Sequence, residues 1–136
     1  MFIDASAIVA ILTREPEAEA FADAVNFARS PITSSVAVFE ATLGICRKRH
    51  ASVAEARDGV LEFLSTAGVH TVSITAREAE IALDAFDRYG KGRGHPARLN
   101  LGDCFAYAVA KNYRTSILFK GNDFSQTDIR PVPDGL

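Results

Sequence analysis

The chain has little of what staples or anchors a small protein. It carries 2 cysteines in 136 residues, Cys46 and Cys104. Both lie in apolar segments of helical periodicity, without metal-ligand spacing. That excludes a disulfide framework and suits buried thiols in a reducing compartment, so a cytoplasmic location is expected. None of the 3 histidines is placed to make a zinc site. No apolar run approaches the ~20 residues of a membrane span, and no membrane association is expected. No basic segment precedes an apolar one near Met1, so a secretory leader is not expected either. An excess of one charge is also missing. The net charge is −2, so any nucleic-acid contact must come from a local patch.

What is present is the make-up of a folded domain. Apolar residues are 48% of the chain and charged residues 24%, which argues against disorder. The length suits a single domain over residues 1–136. Two basic stretches stand out, "CRKRH" at 46–50 and "YGKGRGHPAR" at 89–98.

Strands are expected at "MFI", "SPITSS", "VHTVSI" and "TSILF", with "DIRPVP" (128–133) as a short edge strand. Helical periodicity runs through "ASAIVAILTRE", "EPEAEAFADAVNFA", "VAVFEATLGICRKRH", "SVAEARDGVLEFLSTAG", "TAREAEIALDAFDRYG" and "LGDCFAYAVAKNY". Ser52 with Glu55 and Thr75 with Glu78 read as capping boxes, and Gly68 as a helix stop. This alternation predicts an α/β fold with a mostly parallel sheet of 4–5 strands and helices on both faces. Ligands of such folds bind beyond the carboxyl ends of the strands.

Four acidic residues fall where that end would be. Asp4 closes the first strand, where it could also cap the next helix. Glu40 lies on a helical stripe with Val36, Phe39, Leu43 and Arg47, inside what reads as an apolar face; the plain alternative is a buried ion pair with Arg47 or another arginine. Asp103 opens a helix that is nearly uncharged until Lys111, and could serve as an N3 cap with Asn100. Asp123 follows the last strand in "KGNDF", a turn setting. Asp128 reads as a loop residue. Carboxylates converging at one sheet edge repel unless a cation neutralises them, and an oxygen-rich set suits Mg²⁺ or Mn²⁺.

The order "FIDASAI", "SSVAVFEA", "LNLGDCFAYAVAK" and "ILFKGNDFSQTDI" resembles the PIN-domain family, and within it the VapC toxins of type II toxin–antitoxin pairs. The resemblance implies a PIN-like three-layer sandwich and an Mg²⁺- or Mn²⁺-dependent endoribonuclease with RNA as substrate. The acidic constellation of the family maps onto Asp4, Glu40, Asp103 and Asp123. Asp4, Asp103 and Asp123 are the implied metal ligands, with Glu40 binding metal or orienting water, and Ser6 is the small polar residue beside the first aspartate. Many relatives carry a further acid where this chain has Asn122. The last ligand is therefore open between Asp123 alone and Asp123 with Asn122 or a water. The resemblance also implies a VapB-type antitoxin partner and a homodimer. Phe27, Phe39, Phe63 and Phe86 lie on helices, and core packing is the expected fate of most of them.

Substrate contacts are expected from Ser6 and from Lys91, Arg93 and Arg98 in the glycine-rich loop, which runs directly into the Asp103 helix. The Arg47–His50 cations read as partners of a helix C-terminus. Other α/β readings are weaker. A metal-adhesion motif D-x-S-x-S breaks at Ile8, and a D-x-D phosphatase breaks at Ser6. A non-catalytic divalent-metal-binding or scaffold module is the remaining alternative.

Overall fold

The computed structural model describes residues 1–132. Four strands form, β1 (Phe2–Ile3), β2 (Ile32–Ser34), β3 (His70–Val72) and β4 (Ile117–Leu118). They make one sheet in the order β3-β2-β1-β4, with every pairing parallel. Six helices connect them: α1 (Ala5–Leu12), α2 (Ala18–Phe27), α3 (Ser35–Arg49), α4 (Val53–Ala67), α5 (Ala76–Tyr89) and α6 (Leu101–Asn112). A short 3₁₀ turn follows at Phe124–Gln126. The expected α/β architecture is the one observed.

The edge strand at 128–133 shrinks to a single parallel bridge between Pro131 and Ile117. The bridge is made by the residues flanking Pro131: the Ile117 N–H donates to the Arg130 carbonyl and the Val132 N–H to the Ile117 carbonyl, each at 3.2 Å, so the missing proline N–H costs no bond; Pro133 lies outside the described residues.

The caps explain the boundaries. Ser34 accepts from the Ala37 N–H at 3.1 Å and opens α3. Ser52 accepts from the Glu55 N–H at 3.1 Å, and Gly68 ends α4 at φ 68°. Thr75–Glu78 and Asn100–Asp103 close capping boxes on α5 and α6. The first helix stops at Leu12 rather than running to Glu15. Arg14 turns left-handed at φ 54°, and the Glu15 N–H returns to the Ala10 carbonyl. Pro16 falls in the following turn, ahead of α2.

Alanine sets the packing. Ala7 and Ala10 on α1, Ala37 and Ala41 on α3, and Ala106, Ala108 and Ala110 on α6 are all buried. Small side chains let backbones approach closely, so α1 packs on α2 and α3, α3 on α4, and α5 on α6, while α6 touches β1 and β4. This rotates α3 away from the sequence expectation. Its buried stripe is Ala37, Ala41 and Ile45, and Phe39 is 65% exposed. The aromatic expectation is corrected in the same way. Phe27, Phe39 and Phe86 are exposed and Phe63 is half-buried, because alanines already fill the helix contacts. No helix among the described residues is long and apolar enough to cross a membrane.

Candidate active site

Asp4 follows an interior strand, flanked by β2 and β4. Its backbone N–H donates to the Leu118 carbonyl at 3.0 Å, which extends the β1–β4 ladder to the sheet edge. Its side chain caps α1, accepting from the Ser6 N–H at 3.0 Å and the Ser6 hydroxyl at 2.6 Å. Capping is thus part of what Asp4 does. The carboxylate is still buried, 6% exposed, with no cation paired to it among the described residues. Burial raises its pKa, against the pull of the Ser6 bonds.

Ser6 faces both ways. Its hydroxyl accepts from the Lys120 backbone N–H at 2.9 Å while donating to Asp4. The turn after β4 is thereby tied to the turn after β1.

Glu40 comes from α3. It is half-buried and makes no ion pair with Arg47 or any other cation among the described residues. Burial, then the charges of Asp4 and Asp103, push its pKa up to about 7. Asp103 occupies the third position of α6 and is also half-buried. Its Oδ2 accepts from the Asn100 N–H at 3.1 Å, so capping engages one oxygen. Burial pushes it up to about 6; the Asn100 bond opposes this, while Asp4 and Asp123 add to it.

These three carboxylates line one open cleft of about 360 Å³ at the carboxyl ends of the strands. Ser6, Glu15, Arg47 and Lys120 line it too, with Gly44 and Val9. Asp123 stands outside that lining. It is exposed in the turn before the 3₁₀ helix, close enough for its charge to raise Asp4 and Asp103. Asn122 is exposed beside it, its carbonyl accepting from the Ser125 hydroxyl at 2.7 Å.

Lys91, Arg93 and Arg98 do not line the cleft. The loop closes on itself through the Gly90–Leu99 bridge, and Arg93 is held by Asp87 at 2.6 Å. Asp128 belongs to the scaffold. It accepts from the Tyr107 hydroxyl and the Lys111 ammonium, each at 2.6 Å.

The donor set has the chemistry of a hard cation site. Hard carboxylate oxygens, buried or half-buried and uncompensated, repel one another; a divalent ion relieves both burial and repulsion. The side chains do not close into a ready-made cage of three among the described residues. An ion held here would keep part of its water, as Mg²⁺ usually does.

Sequence reasoning missed Glu15 and Lys120, and gave Arg47 to the helix dipole. Glu15 bridges Lys48 at 3.0 Å and Lys120 at 3.1 Å across the cleft wall, a pairing between distant segments with no local signature. The glycines did carry a signal. Gly44 and Gly102 interrupt helical runs, and such glycines often mark close approach. A β-carbon on Gly44 would sit 3.0 Å from Val9, and one on Gly102 would overlap the Glu40 carboxylate.

Comparison with known proteins shows the family and the fold. The PIN domain family model matches residues 1–130. A VapC ribonuclease of Rhizobium meliloti is 42% identical, covering 94% of this chain and 98% of the relative. Ribonuclease VapC28 of Mycobacterium tuberculosis is 37% identical, covering 98% of each. Among solved structures, Mycobacterium tuberculosis VapC20, described as a sarcin-ricin loop cleaving toxin, superposes with a TM-score of 0.76 at 16% identity, over 96% of this chain and 97% of that one. A toxin–antitoxin complex from Klebsiella pneumoniae gives 0.72 at 18% identity, over 99% and 98%.

Proposed function

The chain belongs to the PIN domain family, and from that premise we propose that it is a ribonuclease toxin of the VapC type, cutting RNA phosphodiester bonds with Mg²⁺ or Mn²⁺ and silenced by a cognate VapB-type antitoxin. The observation that carries this is the convergence of Asp4, Glu40 and Asp103 on one open cleft without a compensating ion pair.

Asp4 and Asp103 would hold the ion, with Asp123 reaching in from its turn, directly or through water. When bound, the ion supplies Lewis acidity, withdrawing charge from the phosphate and lowering the pKa of a water. Glu40 would bind the ion or orient the attacking water, its carboxyl pushed up to about 7 by burial and by the charges of Asp4 and Asp103. Ser6 fixes the Asp4 rotamer and anchors the Lys120 turn, so the first aspartate is held before substrate arrives.

A groove of about 380 Å³ between α5 and α6, where Leu83 and Leu101 are each 70% exposed, supports a homodimer. The similarity to a solved toxin–antitoxin complex supports the antitoxin partner. The proposed place of action is the cytoplasm, where RNA is found and thiols stay reduced.

The test is RNA cleavage by the purified protein with Mg²⁺, with Mn²⁺ and with chelator, beside Asp4→Asn and Asp103→Asn. Metal-dependent cutting lost in both variants, with folding intact, supports the reading. Cutting that survives both substitutions overturns the site. Metal binding without cutting of any RNA supplied favours a binding module instead.

A further inference from the structure

Four basic side chains stand near the cleft or on its wall, and they are not equivalent. Lys120 is held by Glu15 at 3.1 Å and Glu17 at 3.2 Å. Lys48 is held by Glu15 at 3.0 Å and also donates to the Thr13 hydroxyl at 2.8 Å. Arg49 donates to the Leu12 carbonyl at 3.4 Å, closing the C-terminus of α1. Arg47 alone of the four makes no ion pair and no side-chain hydrogen bond among the described residues, and it lines the same cleft as Asp4, Glu40 and Asp103.

Its place on α3 is informative. Glu40, Gly44 and Arg47 follow one another along a single face of the helix, each a turn apart. Gly44 has no side chain to fill the gap and packs directly against Val9, so the cleft floor stays open between acid and base. Seven residues of helix put Arg47 about 10 Å from Glu40 along the axis. That is too far for its backbone to belong to the carboxylate set, yet within one long side chain of it. If Arg47 only served the α3 C-terminus, it would do the same work as Lys48 and Arg49, which share that last turn.

Resting on the ribonuclease reading, we propose that Arg47 is a substrate-binding residue, its guanidinium gripping a backbone phosphate of the RNA next to the one being cut. The planar fork suits two phosphate oxygens at once, which an ammonium cannot match. An anionic polymer must enter a cleft lined by three carboxylates without an ion pair among the described residues, those of Asp4, Glu40 and Asp103. An unengaged cation at that entrance offsets the repulsion. The lysines do not, because Glu15 and Glu17 already neutralise them.

The experiment measures steady-state cleavage of a labelled single-stranded RNA by the full chain, by Arg47→Gln and by Arg47→Lys, across a salt series. KM for Arg47→Gln is expected to rise roughly 10-fold with kcat within about twofold, since a binding contact made equally in ground and transition states is lost. Arg47→Lys recovers part of that rise. The slope of log KM against log salt becomes shallower by about 0.7 in Arg47→Gln, the share of one single-strand phosphate contact. An unchanged KM and salt slope, or a loss confined to kcat, overturns the inference. Failure of the ribonuclease reading looks different, since the unsubstituted chain then cuts no RNA with either metal.

Discussion

Gly102 and Glu40 meet across the α3–α6 contact so closely that only a hydrogen fits between them. A β-carbon on Gly102 would overlap the carboxyl group of Glu40. The first turn of α6 therefore does two things at once: it presents Asp103 to the cleft and leaves the room in which Glu40 lies.

Gly102→Ala separates those roles. Alanine is favoured over glycine by about 0.5–1 kcal/mol in a helix interior, and by less at Gly102, the second residue of α6. Here the added methyl must push Glu40 aside, and overpacking of this kind costs about 1–3 kcal/mol. The net cost in stability is therefore up to about 2–3 kcal/mol, and the variant is expected to stay folded. Activity falls much further, by roughly 100-fold, because a catalytic group displaced by about 1 Å loses its alignment. Circular dichroism and RNA cleavage run in parallel check this. A folded variant with full activity would show that Glu40 needs no fixed position.

Glu40 is held at a cost that its removal reveals. Its folded pKa of about 7 lies above the ordinary glutamate value of 4.5. The folded state thus binds the proton more tightly than the unfolded chain. The resulting stability is full below about pH 4.5 and is lost as pH rises through about 7. Glu40→Gln removes this loss. The metal-free variant at about pH 8 is expected to be more stable than the parent by about 1–2 kcal/mol, after discounting for solvent screening. That is roughly 3–6 °C in Tm. At about pH 5 the two converge. Thermal melts with chelator at both pH values test the sign. Equal stability at high pH would mean that burial does not strain this carboxyl.

The sequence made the acidic positions legible and left their surroundings obscure, for a physical reason. Asp4, Asp103 and Glu40 each carry a local signature: a strand end, a first helical turn, and a charge beside apolar helix residues. Local signatures do not fix which way a helix rolls, so Phe39 was expected inside and faces out. Nor do they show which distant segments touch. The Glu15–Lys120 bridge spans almost the whole chain, and nothing near either residue announces it. The loop carrying Lys91, Arg93 and Arg98 precedes Asn100 in sequence, yet it closes on itself through the Gly90–Leu99 bridge and none of the three lines the cleft.

Ion binding should compete with protons. Glu40 at about 7 and Asp103 at about 6 both exceed ordinary carboxyl values, and a ligating carboxylate must be deprotonated. Mn²⁺ affinity is therefore expected to fall as pH drops from about 7.5 to 5.5, by roughly 10-fold or more per unit once both groups are protonated. Each ion bound at about pH 6.5 should release about one proton. Calorimetric titration in two buffers of different ionisation enthalpy counts those protons directly. No proton release, with an affinity that ignores pH, would place the ion away from Glu40 and Asp103.

Asp128 provides the contrasting case, a carboxylate that holds the fold rather than the cleft. It receives Tyr107 and Lys111 at 2.6 Å each, and Tyr89 at 3.3 Å, pinning the segment after β4 to α5 and α6. Partial burial opposes ionisation, but the Lys111 and Tyr107 bonds prevail and hold its pKa down to about 2, below the ordinary aspartate value of 3.8. The sign is opposite to that of Glu40. Its contribution is present above the ordinary carboxyl pKa and is lost as pH falls from about 4 through 2. Its side chain is 39% exposed, so screening reduces the gain, and Asp128→Asn should cost about 1 kcal/mol near pH 7. The deficit relative to the parent should shrink at about pH 3. Metal-dependent cutting per folded molecule should be unchanged. Urea unfolding at the two pH values, with cleavage measured on the same samples, separates the two roles. A variant of normal stability that has lost cutting would move Asp128 from the scaffold into the ion site.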